Sequence, residues 1–226
     1  MTSDELYDAF RSDVMDVASP YLWSNSEVWR YMDDAYKMFV RLTGGVADAT
    51  SPLTQIDVVT GEADAEVSPL ILKFREARLV STGRILKIIN HTDLPTTSSA
   101  DYGQLRQMYL NKTPGPVRYM LVGKQRKLVT WLQVPTEEDV VDTTVYRLPL
   151  NRITDFGQEF SDIGEEHHEH LLLWMKARAY GKQDADTFDK GRADFYAAEF
   201  KDYCTMATAE WERSKSKVRS VVYGGL

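Results

Sequence analysis

The chain is 226 residues long, with 27 Lys and Arg against 34 Asp and Glu, a formal net charge of −7 and one cysteine. That length buries a core without covalent staples; the lone Cys204 excludes an intramolecular disulfide and any CxxC motif; and the acidic balance excludes a general electrostatic grip on nucleic acid, which needs clustered Lys and Arg. With no run of about 18 apolar residues and no basic-then-apolar leader, the expectation is a protein with no membrane span and no signal peptide, cytosolic when made.

Residues Thr2 to Ala18 predict a helix: Ser3 caps it, Asp4 and Glu5 sit at its positive end, and Leu6, Phe10, Val14 and Val17 recur at helical spacing before Pro20. A second helix is capped by Ser24 or Ser26, places Val28, Met32, Ala35, Phe39 and Leu42 on one face and stops at Gly44-Gly45. The short connection makes the two antiparallel neighbours.

After the glycines the period falls to 2 and turn residues recur up to Pro149, which predicts a β-rich insert. Leu70 to Val80 and Ile85 to Ile89 flank Ser81-Thr82-Gly83-Arg84 as a hairpin, though the first can also be drawn as a short helix. Asp101 to Leu110 forms a short helix before Thr113-Pro114-Gly115-Pro116. Val117 to Val122, Lys127 to Val134 and Val140 to Leu148 then read as an antiparallel meander.

Helical spacing returns beyond Ile163-Gly164. His168, Leu171, Leu172, Met175 and Ala179 form one stripe; Phe195 or Tyr196, Phe200, Tyr203, Ala207 and Trp211 form another; Asp184 to Asp189 separates them. The fold class is therefore α+β: a four-helix bundle of two N-terminal and two C-terminal helices with an inserted antiparallel β-rich domain and an extended C-terminal tail. The boundaries fall at 1–45 for the N-terminal hairpin, 46–160 for the insert, 161–213 for the C-terminal helices and 214–226 for the tail.

The densest polar cluster, Glu165-Glu166-His167-His168-Glu169-His170, offers imidazole and carboxylate, the ligands of a zinc or iron site. His167 and His170 share a helix face, and His91 in the insert is a further candidate for metal-assisted hydrolysis. HExxH would need a histidine where Leu172 stands, and carboxylates at a helix start complement the dipole, so a solvated first turn is the favoured reading. Cys204 lies beside Tyr203 and Ala207 on an apolar stripe and reads as packing; there is no GxSxG elbow. Gly44-Gly45, Gly115 and Gly224-Gly225 match no phosphate loop, and Trp29, Trp131, Trp174 and Trp211 fall at core or interface positions. The expectation is a non-enzyme with no catalytic residue, metal or cofactor.

One segment departs from the acidic character. Arg213, Lys215, Lys217 and Arg219 carry positive charge with no acidic residue between them, and Val221-Val222-Tyr223 follows as a short apolar run. Such a tail suits docking on an acidic partner through its charges and apolar residues; a frayed, solvated terminus is the plainer alternative.

The order of elements resembles the head-to-tail adaptor (connector) proteins of tailed bacteriophages. The likeness is carried by Tyr21-Leu22-Trp23-Ser24 with Val28 to Ala35, Thr113-Pro114-Gly115-Pro116-Val117-Arg118-Tyr119, Tyr146-Arg147-Leu148-Pro149, Ile163 through His168 with Leu171-Leu172, Ala177 to Tyr180, and Asp184 to Asp189. The resemblance implies a structural virion protein at the head-tail junction, with about twelve copies in a ring beneath the portal protein. It implies a tail or nozzle protein below, genome DNA passing through the channel without sequence-specific binding, and a C-terminal segment that docks on the portal. A tail-completion or stopper protein is the alternative of the same class, and a metal-dependent hydrolase built on His167 and His170 the alternative of another.

Overall fold

A computed structural model describes residues 1–94 and 100–215. The helices are α1 (Ser3–Asp13), α2 (Asn25–Leu42), α3 (Ala100–Leu110), α4 (Leu171–Tyr180) and α5 (Lys190–Lys215). The strands are β1 (Val46–Asp48), β2 (Gln55–Val58), β3 (Asp64–Glu66), β4 (Ile71–Leu79), β5 (Lys87–Asn90), β6 (Pro114–Gly115), β7 (Tyr119–Val122), β8 (Leu128–Trp131), β9 (Val134–Pro135) and β10 (Asp139–Arg147). The chain forms two compact units: a helical one of Met1–Gly44 with Pro149–Leu226, and a β-rich one of Gly45–Leu148. The fold is α+β: the N- and C-terminal helices form a bundle, and in sequence they flank an inserted, largely antiparallel β region. Among the described residues no helix is long and apolar enough to cross a membrane.

In the helical unit α1 is capped by Thr2, one residue before the expected Ser3: the Thr2 side chain accepts from the Glu5 amide, and the Glu5 carboxylate accepts from the Thr2 amide at 2.9 Å. The helix stops at Asp13 instead of continuing to Ala18. Met15 turns left-handed at φ 57°, which swings Asp16 inward and leaves Val17 70% exposed. Ser24 and Glu27 form the same capping box on α2, and Gly44 and Gly45, at φ 92° and 94°, end it where a side chain would be strained. The α2 face of Val28, Met32, Ala35 and Phe39 is buried as the spacing predicts, each large side chain contributing about 1.5–3 kcal/mol by leaving water. Leu42 sits at the rim, 40% exposed.

The segment after Pro149 packs on α2 through Asp33, which is buried and accepts from the Ile153 amide at 3.2 Å, from Lys37 at 2.6 Å and from Arg152 at 3.3 Å. Phe160 stacks edge-on against Tyr36, whose hydroxyl contacts Asp162. On α5 the buried stripe is Phe200, Cys204 and Ala207; of the two residues offered for its start Tyr196 is the one partly covered and Phe195 is 58% exposed, while Trp211, also expected there, is 50% exposed.

In the β unit, β10 is the centre of one sheet. It pairs antiparallel with β4 along one edge and with β1 and β2, end to end, along the other. The second sheet runs β3-β8-β7-β5, with β5 and β7 parallel, and β6 and β9 form a two-residue parallel pair. The expected meander holds only for its first hairpin, β7 with β8. β10 cannot extend it, because the remaining edge of β8 is taken by β3, at Asp64 opposite Thr130. The expected hairpin at Ser81–Arg84 closes, with the Leu79 amide on the Arg84 carbonyl and the Leu86 amide on the Ala77 carbonyl, and then parts. Leu86 enters the core and β5 crosses to the second sheet.

One core joins the sheets: Ile56, Val58, Ala77, Leu79 and Val141 face Met120, Val129 and Trp131. Leu121, Leu132 and Ile89 face the other way, under Leu105 of α3. Buried on both sides, β7 and β8 read as continuous apolar runs, which is why simple alternation misplaced the third strand.

Candidate docking surface

Of the basic residues singled out for docking, Arg213 and Lys215 lie on the last turn of α5; Lys217, Arg219, Val221, Val222 and Tyr223 lie outside the described residues. With 26 residues α5 is about 39 Å long, whereas α4, with 10, is about 15 Å. The two are joined by a ladder of rings: Tyr180 on Tyr196 at 6.0 Å, Trp174 on Phe200 at 5.3 Å, and His170 flat on Tyr203 at 3.5 Å with 1° between planes. Among the α5 side chains that are described, through Arg213, Ala207 is the last buried one, and Ala209 to Arg213 are exposed. The end of α5 therefore projects beyond its support and carries the start of the basic segment into solvent.

His167 and His170 both meet this ladder at Tyr203, whereas His168 and His91 pack elsewhere. Tyr203 donates to the Glu166 carbonyl at 3.3 Å, so its oxygen accepts from His167 Nδ1 at 2.8 Å, while the His167 ring lies against Phe39. Burial, outweighing the nearby Glu169, holds the His170 imidazole below its ordinary pKa, and burial likewise raises the Tyr203 phenol. His168 is buried against Phe160, its Nε2 at 3.2 Å from the Ile163 carbonyl and its Nδ1 at 3.0 Å from that of Met1. His91 belongs to the β unit, beside Tyr109. Among the described residues no three His, Cys, Asp or Glu side chains are gathered to hold a metal ion. Glu165 to His167 form a short 3-10 turn ahead of α4, which begins only at Leu171, so the expected carboxylates are not in its first turn and cap none of its amides.

Cys204 is 2% exposed, and burial pushes its thiol up to about 12. Its alkylation at pH 8 should run on the order of 100-fold slower in the native chain than in denaturant, as read by mass spectrometry of quenched samples. Rapid native labelling would show that α5 lifts away from the bundle.

A second surface was not legible in the sequence. Between α1 and α2, Met15, Val17, Tyr21 and Leu22 are 89%, 70%, 43% and 48% exposed, while Arg11 and Asp16 beneath them are 4% and 3% exposed. Arg11 pairs with Asp16 and donates to the Trp23 carbonyl at 2.7 Å; Asp16 accepts from the Leu22 and Trp23 amides. The only signal was an Arg and an Asp five residues apart, which no regular element pairs.

A family model described as SU10 adaptor protein matches residues 1–220. No curated protein matches the chain.

Proposed function

The chain belongs to the SU10 adaptor protein family, and from that membership we propose that it is a structural component of a phage head-tail junction, one copy in a ring of about twelve that joins the portal to the tail or nozzle. The observation that carries the reading is the projecting end of α5. α5 continues about two turns past Ala207, with Ala209 to Arg213 exposed, and in sequence Lys215, Lys217 and Arg219 follow Arg213. On a chain of net charge −7 this is the segment suited to an acidic portal surface, with Val221, Val222 and Tyr223 adding apolar contacts. The acidic remainder leaves DNA free to slide through the channel, because like charge gives phosphates no hold. Adaptor families act through their surfaces, and the contacts of His167, His168 and His170 support structural roles for all three.

The test is truncation. Protein lacking Ser214 to Leu226 should keep the circular dichroism and melting temperature of the full chain, yet fail to stack on portal rings in electron micrographs. Truncated protein that mounts portals as the full chain does would overturn the docking role.

A further inference from the structure

Two exposed stripes of the helical unit carry opposite, unspent charge at matching spacing. On α2, Arg30 and Arg41 are exposed, and among the described residues neither has a carboxylate within ion-pair distance; the nearby Lys37 and Arg178 are already paired with Asp33 and Asp34. On α5, Glu199, Asp202 and Glu210 are exposed and, among the described residues, have no cation within that distance, in contrast to Asp194, which is paired with Lys190. Arg30 and Arg41 stand eleven residues apart, as do Glu199 and Glu210. Eleven residues close three helical turns, so each pair shares one face with its charges about 16 Å apart. Phe195 and Met206, 58% and 57% exposed, lie on the same face of α5 as the carboxylates. That stripe is apolar and acidic, the surface a helix keeps for a partner and not for water alone.

We propose that these stripes are the two halves of a contact between copies of this chain: the outer face of α5 of one copy lies along α2 of the next, with Arg30 and Arg41 meeting Glu199 and Glu210, and Phe195 and Met206 filling the space between. It rests on the reading of the chain as one copy in a ring. Because the two halves are different surfaces on each copy, the contact is heterologous, the kind that a rotation closes into a ring. The occupant is a second copy because the match lies in both charge and spacing within one chain. Specificity follows as well, since setting two α5 faces or two α2 faces together places like charges opposite.

The test uses the full chain at low ionic strength, followed by sedimentation over a concentration series. The wild type should self-associate and dissociate as salt is raised. R30E/R41E and E199R/E210R should each weaken association roughly tenfold or more, and an equal mixture of the two should recover it, since each then supplies the complement of the other. Carbodiimide coupling of R30K/R41K should join an α2 peptide to an α5 peptide between chains. A wild type that stays monomeric throughout, charge-reversed variants that associate like the wild type, or a mixture that fails to recover would each overturn the contact. Failure here is separable from failure of the adaptor reading: copies that mount portals normally with either reversal alone remove the seam and keep the docking, whereas chains that associate through the seam but never mount a portal do the opposite.

Discussion

Replacing Asp16 with Ala should lower the stability of the helical unit by roughly 3–5 kcal/mol, the cost of leaving a buried charge without its partner. Asp16 and Arg11 have side-chain exposures of 2% and 5%. The guanidinium also bonds the Tyr7 hydroxyl and Asn25, and it stacks over the Tyr21 ring at 4.1 Å. Removing Asp16 strands Arg11 and also frees the Leu22 and Trp23 amides, which leaves the α1–α2 connection without its scaffold. Urea unfolding should show the lowered midpoint, and hydrogen exchange should rise first over residues 14–24. Replacing both charges with apolar residues of similar volume should recover much of the loss, because the stranded charge and not the missing attraction dominates. Exchange over 14–24 that is unchanged in Asp16→Ala would refute this account.

Asp48→Ala should cost the β unit a similar amount, roughly 3–5 kcal/mol at neutral pH. Asp48 in β1 pairs with Arg147 at the end of β10 and accepts from the Ser51 hydroxyl at 2.6 Å and the Thr50 amide at 2.9 Å. Burial by itself would raise its pKa; the Ser51 hydroxyl, the Thr50 amide and the Arg147 guanidinium together hold it well below the usual carboxylate range. The sign of the pH dependence follows. The folded state binds this proton more weakly than the unfolded chain, so the stabilisation is complete above an unfolded carboxylate pKa of about 4 and is lost as pH falls through the folded value. Melting curves between neutral pH and pH 2 should show wild-type stability falling in that acid window and a shallower fall for Asp48→Asn. Equal slopes for the two would mean that other carboxylates carry the acid response.

Much of the helical unit was legible because its signals are local. A serine cap, the stop at Gly44-Gly45 and the α2 face from Val28 to Phe39 each depend on residues within a turn or two; the latter two stand where the spacing places them, and of Ser24 and Ser26 it is Ser24 that caps, in a box with Glu27. Errors began where a local pattern met a tertiary competitor. Val17 continues the spacing of α1, yet the chain turns at Met15 because Asp16 has better partners in Arg11 and the Leu22 and Trp23 amides than in a further helical turn. On α5 the spacing leaves Phe195 and Tyr196 as alternatives, and only the fold chooses Tyr196; Trp211 continues the stripe, yet α4 is too short to bury it. The candidate site was legible in part: composition exposed the basic segment, but the helix that carries its first residues outward emerges only from comparing the lengths of α4 and α5.

The sequence by itself determined that helices would flank a β-rich middle, where α2 ends, and that the histidine run lacks the protease spacing, because these follow from periodicity, glycine punctuation and residue identity. Tertiary structure alone decided that β10 leaves β8 to become the centre of another sheet, that β5 pairs in parallel with β7, and that among the described residues Lys37 and Arg178 find carboxylates where Arg30 and Arg41 do not. The physical reason is competition: a strand edge or a buried charge takes whichever partner the whole fold brings closest, and separation along the chain does not encode that choice.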